Sequence, residues 1–319
     1  MLLRLIRLAA LTAGTAGGVS GAAYGVLNGQ SWYARRLIGE PEDLPLRADG
    51  AYLPDGTGPL EHAGRPDRAG HPDADDREVL ELAVLGDSSA AGLGVDRPDE
   101  LPGVLLARGL AAEVERPVRL TTHAVVGTTS RELSAQVEAV LAAPPRLAMV
   151  LIGANDVTSQ LRVSTCAALL GDAVARLTAA GIDLVAGTCP DLGAVRPIPQ
   201  PLRDVARSWS LALGRAQRRA VEQAGGHAVP LADLLAPEFL ARSGELFSPD
   251  RYHPSAAGYE AVANLLLPEL CSAIGEWEGG PLPSLPTRSA TAEARRPTSR
   301  LVARLNRRLR RSARDGGRV

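Results

Sequence analysis

Five residues in four separate stretches have the types that acyl transfer needs. Ser88 stands in Gly86-Asp87-Ser88-Ser89, directly after the apolar run Leu82-Ala83-Val84-Leu85. Gly127 closes a second apolar run, and Asn155 lies in Gly153-Ala154-Asn155-Asp156 at the end of a third. Asp250 and His253 sit three apart in Ser248-Pro249-Asp250-Arg251-Tyr252-His253-Pro254. A serine nucleophile requires a base, a carboxylate to orient that base, and N–H donors for the oxyanion. The Asp-x-x-His spacing lets the carboxylate hold one imidazole nitrogen while the other faces Ser88. Each stretch also has a plainer reading. Ser88 or Ser89 could cap a helix, Gly127 could be an ordinary turn, and Asp and His are common in loops.

The elements that must gather these residues follow from the hydrophobic pattern. Val79 to Gly86, Pro117 to Val126, Arg146 to Ile152, Ile182 to Gly187 and a short His227 to Pro230 read as strands. Near-continuous apolar runs of this length mark strands covered on both faces. Helical spacing occupies Leu101 to Ala112, Thr129 to Leu141, Thr165 to Ala180 and Leu202 to Ala224. A last helix runs to about Ile274 and is expected to open on Pro254, because proline is favoured at the first helical position. Alternation of strand and helix implies a parallel sheet with helices on both sides. The expected fold is a three-layer α/β/α sandwich, flavodoxin-like, with a five-stranded parallel sheet. Ligands of such sheets lie beyond the carboxyl ends of the strands, which is where Ser88, Gly127 and Asn155 fall.

Taken together, the four stretches resemble the SGNH hydrolases, the GDSL-like esterase and lipase superfamily. Gly86-Asp87-Ser88-Ser89 is similar to its first block, although Ser89 replaces the name-giving Leu. Gly127 matches the second block, Gly153-Ala154-Asn155-Asp156 the third, and Asp250-Arg251-Tyr252-His253-Pro254 the last. The resemblance covers about Val79 to Ile274. It implies a catalytic triad of Ser88, His253 and Asp250, with an oxyanion hole made by Ser88, Gly127 and Asn155. The implied activity is hydrolysis of carboxylic esters through an acyl-enzyme, with no metal and no organic cofactor. The alternatives are an O-deacetylase or acyltransferase acting on cell-envelope glycans, and a non-catalytic, membrane-anchored binding protein.

Composition narrows the field further. Of 319 residues, 45% are apolar, enough for a large core, and the formal net charge is -1. That balance gives no general attraction to nucleic acid, and none is expected as a partner. All 35 basic side chains are Arg, so Schiff-base lysines and a P-loop lysine are excluded. Cys166, Cys189 and Cys271 form no C-x-x-C pair and no Cys/His cluster, which argues against structural zinc. A Cys166–Cys189 disulfide and buried thiols both remain open. Among the other histidines, His123 and His227 lie in or beside strands and read as core residues, and His62 and His71 as solvated ones.

The flanks read differently from the centre. Residues 1–36 carry Arg4 and Arg7, then an uncharged stretch from Leu8 to Tyr33, long enough for a bilayer span of ~20 residues. They are expected to form a single membrane anchor, or a cleaved signal peptide, with the catalytic domain outside the cytoplasm. In the alternative the protein is secreted. Residues 37–77 are dense in Pro, Gly and Asp and are expected to be a linker. Residues 78–276 form the hydrolase domain, and 277–319 a Pro-rich then Arg-rich tail. Leu301, Val302, Leu305 and Leu309 share one helical face of that tail, which reads as a second membrane contact or a solvated tail. The expected partners are a small-molecule or lipid ester and a membrane. The loop Asp191 to Pro201, with Arg196, is expected to border the substrate or simply to be solvated.

Overall fold

The computed structural model describes residues 25–34, 36–38, 45–61, 79–277 and 279–282. At its centre is strand β2 (Leu80–Gly86), with β3 (Val118–Thr122) on one side and β4 (Leu147–Leu151) on the other. Beyond β4 come β5 (Asp183–Gly187) and β6 (His227–Val229), and all these neighbours pair in parallel. Alternate side chains of a strand face opposite sides, and β2 divides its residues accordingly. Leu82 and Val84 pack with Leu106 and Leu110 of α2 (Pro102–Glu113) and Leu266 and Leu270 of α9 (Ala256–Ala273). Ala83 and Leu85 pack on the other face. There they meet Val137 of α3 (Leu133–Leu141), Leu170 of α5 (Val163–Ala179) and Val221 of α6 (Leu202–Gln223). Each large aliphatic side chain buried in these layers contributes about 1.5–3 kcal/mol. The three-layer α/β/α sandwich is therefore the architecture found.

Among the described residues the sheet has six strands rather than the expected five. The sixth, β1 (Gly50–Tyr52), lies at the edge and runs antiparallel to β3, with Ala51 opposite Arg119. It falls in the stretch expected to be linker. Ala51 and Tyr52 are fully buried, and the Tyr52 hydroxyl donates to the Ala48 carbonyl at 2.5 Å. A three-residue strand is too short to show a period, so only its burial against β3 reveals it.

Other boundaries shift for local reasons. The last helix starts at Ala256, not Pro254; Ser255 is its N-cap, accepting from the Gly258 N–H at 3.2 Å. Pro254 instead forms a bridge with Phe247. Among the described residues, helices also lie where none was expected: α7 (Leu231–Ala241), which carries Pro237 within it, α8 (Ser243–Leu246) and a short helix at Ala154–Thr158. His227 begins β6 but is exposed, and His123 is half-buried just past β3, so neither is a core histidine. All three cysteines are free thiols in the interior.

Residues 25–34 and 36–38 are helical. The rest of the expected anchor, residues 62–77 of the expected linker with His62 and His71, and the Arg-rich tail lie outside the described residues. Among the described residues no helix is long and apolar enough to cross a membrane.

Candidate active site

In the sheet order the chain visits β2 and β3, then crosses back to β4 on the far side of β2. The crevice beyond the carboxyl ends of β2 and β4 is such a topological switch point. Gly86 ends β2 at a φ of 134°, and a Cβ there would lie 1.9 Å from the Leu151 carbonyl oxygen. Only glycine lets the two strands close up and the chain turn at once. Asp87 then caps the short helix α1 (Ser88–Ala91), its carboxylate accepting from the Ser89 N–H at 2.9 Å. The cap is therefore Asp87, not Ser88 or Ser89. Ser88 opens the helix, and N–H groups of a first turn have no partner within it. Burial pushes the Asp87 carboxyl up to about 6, although the Ser89 N–H and the nearby His253 pull it back in part.

The loop before α9 supplies the other half. Asp250 accepts from the Ser248 hydroxyl at 2.7 Å, from the Tyr252 N–H at 2.7 Å and from the His253 N–H at 2.9 Å. Its second oxygen lies 2.6 Å from His253 Nδ1. Burial raises its pKa, but the hydrogen bonds from the His253 ring and these three donors outweigh that and hold it at about 2. Arg251 takes the left-handed conformation, φ 58°, to close the loop. On the other side of the imidazole, His253 Nε2 lies 3.0 Å from Ser88 Oγ. Both residues are buried, at 7% and 5% exposure. The edge of the Tyr252 ring meets the imidazole, with centroids 4.9 Å apart.

Gly127 and Asn155 enter from β3 and β4. Gly127 has φ 81°, and its surroundings are open. Asn155 lies on α4 (Ala154–Thr158) and donates through Nδ2 to the Thr128 carbonyl at 3.0 Å. That leaves its second amide hydrogen for another acceptor. The two loops are tied again by Asp156, which accepts from the Ser130 N–H at 2.8 Å and from the Ser130 hydroxyl at 2.6 Å.

Several residues that hold this arrangement were not foreseen. Gln136 of α3 accepts from the Gly86 N–H at 2.7 Å and donates to the Gly86 carbonyl at 2.8 Å. Gln217 of α6 does similar work, accepting from the Cys189 N–H at 2.7 Å and donating to the Ile152 carbonyl at 3.1 Å. Both amides are buried. The available signal was a polar residue on an apolar helix face: Gln136 falls between Leu133, Val137 and Val140. Arg196 donates to the Leu240 carbonyl, which ties the loop after β5 to α7. Burial pushes the Cys166 thiol up to about 12 and the Cys189 thiol well above its ordinary value. Neither is a thiolate at neutral pH, so neither is a nucleophile there.

Comparison with known proteins decides what this arrangement belongs to. Residues 84–261 match the GDSL-like Lipase/Acylhydrolase family. The chain belongs to that family. It is also 43% identical over 282 residues to the GDSL-like esterase Rv1075c of Mycobacterium tuberculosis (strain ATCC 25618 / H37Rv), covering 86% of each chain. The lipase/acylhydrolase from Enterococcus faecalis shares the fold at a TM-score of 0.51 and 20% identity, over 61% of this chain and 96% of that one. TesA superposes at a TM-score of 0.48 with 22% identity, over 61% and 98% respectively. As a GDSL-like family member, the protein is a carboxylic ester hydrolase.

Proposed function

We propose that Ser88 is the nucleophile, His253 the general base and acid, and Asp250 the residue that orients the imidazole. The observation that carries this reading is the continuous chain of contacts from Ser88 Oγ to His253 Nε2 at 3.0 Å and from His253 Nδ1 to Asp250 at 2.6 Å. With Asp250 ionised, the Nδ1–H donates to it, and Nε2 is left with a lone pair for the serine proton. Ser88 attacks the ester carbonyl as His253 takes its proton. The backbone N–H groups of Ser88 and Gly127 and the free N–H of Asn155 hold the tetrahedral oxyanion. His253 then protonates the departing alcohol, leaving the acyl group on Ser88. A water, activated by the same imidazole, releases the acid. None of these steps calls for a cofactor.

Ser88→Ala tests the assignment. The variant is expected to lose turnover of p-nitrophenyl acetate and covalent labelling by a fluorophosphonate. Retained turnover would overturn the triad.

We also propose that the chain attaches to a membrane through its N-terminal segment. Val26, Trp32, Tyr33 and Leu37 stand exposed on the helical residues 25–34 and 36–38, and the Arg36 guanidinium stacks over the Trp32 ring, 5.4 Å from its centroid. Aromatic and arginine side chains are at home where lipid meets water. Full-length protein is expected to float with anionic vesicles, and protein lacking residues 1–38 to remain behind. Equal behaviour of the two would remove this attachment.

A further inference from the structure

Residues 25–38 precede the family match, which begins at residue 84, yet they pack beside the site. Gln30 fixes them there. Its side chain donates to the Gln200 carbonyl at 2.6 Å and accepts from the Leu202 N–H at 3.1 Å, at the open start of α6. Ala34 is buried in the cluster that holds Val157, Ile198 and Ala206. Between this helical segment and the body runs an apolar groove. Leu27 and Ser31 line one wall, Val157, Ile198 and Trp209 the other, and Tyr252 borders it as well. Its cavity volume is about 190 Å³. A dry cavity of ~150 Å³ already holds benzene, so the groove has room for several carbons.

The groove lies one side chain away from the site, none of whose five residues lines it. Tyr252 touches the His253 ring, and Val157 and Thr158 share α4 with Asn155. It therefore borders the side of the site built on β4. The side built on β3 has a different character: nothing lies within 4 Å of a Cβ placed on Gly127, and Val125 is exposed. A carbonyl carbon held between these sides has its acyl chain and its alcohol pointing different ways. The apolar side suits the hydrocarbon and the open side suits the departing alcohol.

We infer that this groove takes the acyl chain of the ester, and that residues 25–38 are the wall that sets which acyl length is preferred. The inference rests on the triad reading above.

The test is a series of p-nitrophenyl esters from acetate to decanoate, run with the full-length chain and with Ser31→Trp and Leu27→Trp, which fill the groove from the helix wall. In the unaltered protein kcat/KM is expected to rise with acyl length. In each variant the decanoate-to-acetate ratio of kcat/KM is expected to fall by roughly tenfold or more, because each methylene kept from the groove costs about fourfold. An unchanged ratio in a variant that melts like the unaltered protein would overturn the inference, as would a flat length profile in the unaltered protein. Fluorophosphonate labelling separates the two levels. Labelled protein with an unchanged ratio refutes the groove alone, whereas unlabelled, unaltered protein refutes the triad itself. If Ser31→Trp does not fold, Leu27→Trp gives the same readout from a different turn.

Discussion

The two halves of the proposed active site are built on opposite plans. The half that bears Asp250 and His253 is one loop folded on itself. Asp250 gathers the Ser248 hydroxyl, two backbone N–H groups and the imidazole, all within five residues of itself. The half that bears Ser88, Gly127 and Asn155 is spread over the ends of three strands. It is held by groups brought in from elsewhere: Gln136 on Gly86, Asp156 on Ser130, and Asn155 on Thr128. The first is local chemistry, made within the loop itself. The second exists only while β3, β2 and β4 keep their register. With the roles proposed above, the contrast teaches that orientation of the base is specified nearby in sequence, whereas oxyanion stabilisation is a property of the whole sheet edge.

Substitutions in each half can break or sharpen this contrast. The largest effect is expected from Asp250→Asn, which keeps the shape but favours the wrong imidazole tautomer. By analogy with serine proteases, kcat should fall by about 10⁴. Thermal unfolding should show a loss of local stability only. A cooperative collapse of the fold would mean that the loop is not the self-contained unit described above.

Asn155→Ala comes next, with kcat reduced by ~10²–10³ through loss of one oxyanion donor. Because its amide also serves the Thr128 carbonyl, a stability loss of about 0.5–1.5 kcal/mol is expected alongside. A normal kcat would remove Asn155 from the oxyanion hole.

Gln136→Leu should cost about 1–3 kcal/mol, since it strands the Gly86 N–H in the interior and leaves the Gly86 carbonyl with the Val125 N–H alone. Its kcat should drop by less than that of Asn155→Ala, while KM changes little. Denaturant unfolding and steady-state kinetics together check this. Unaltered stability would show that the distributed half is held by the strands alone.

The legibility of the site follows the same division. Asp250 and His253 could be paired from sequence because a separation of three residues constrains two side chains whatever the surrounding fold. Ser88, Gly127 and Asn155 could each be placed at a strand end, but nothing in their own neighbourhoods says that those ends are adjacent. The buried amides were harder still. Gln136 is one polar residue on an apolar helix face, and its partner, the backbone of Gly86, is fifty residues away. The strand β1 left no mark, because three residues are fewer than any periodicity needs.

The sequence by itself determined the alternation of strands and helices, since β2 had to present Leu82 and Val84 to one layer and Ala83 and Leu85 to the other. It also determined the local geometry of the Asp-x-x-His loop. Tertiary structure alone decided that β4 lies next to β2, that Tyr52 closes the far edge of the sheet, and that residues 25–38 fold back against α6 beside Tyr252. The physical reason is range. Side-chain period and hydrogen-bonding type act over a few residues, whereas the choice of neighbour is made by burial and by polar groups seeking partners across the whole chain.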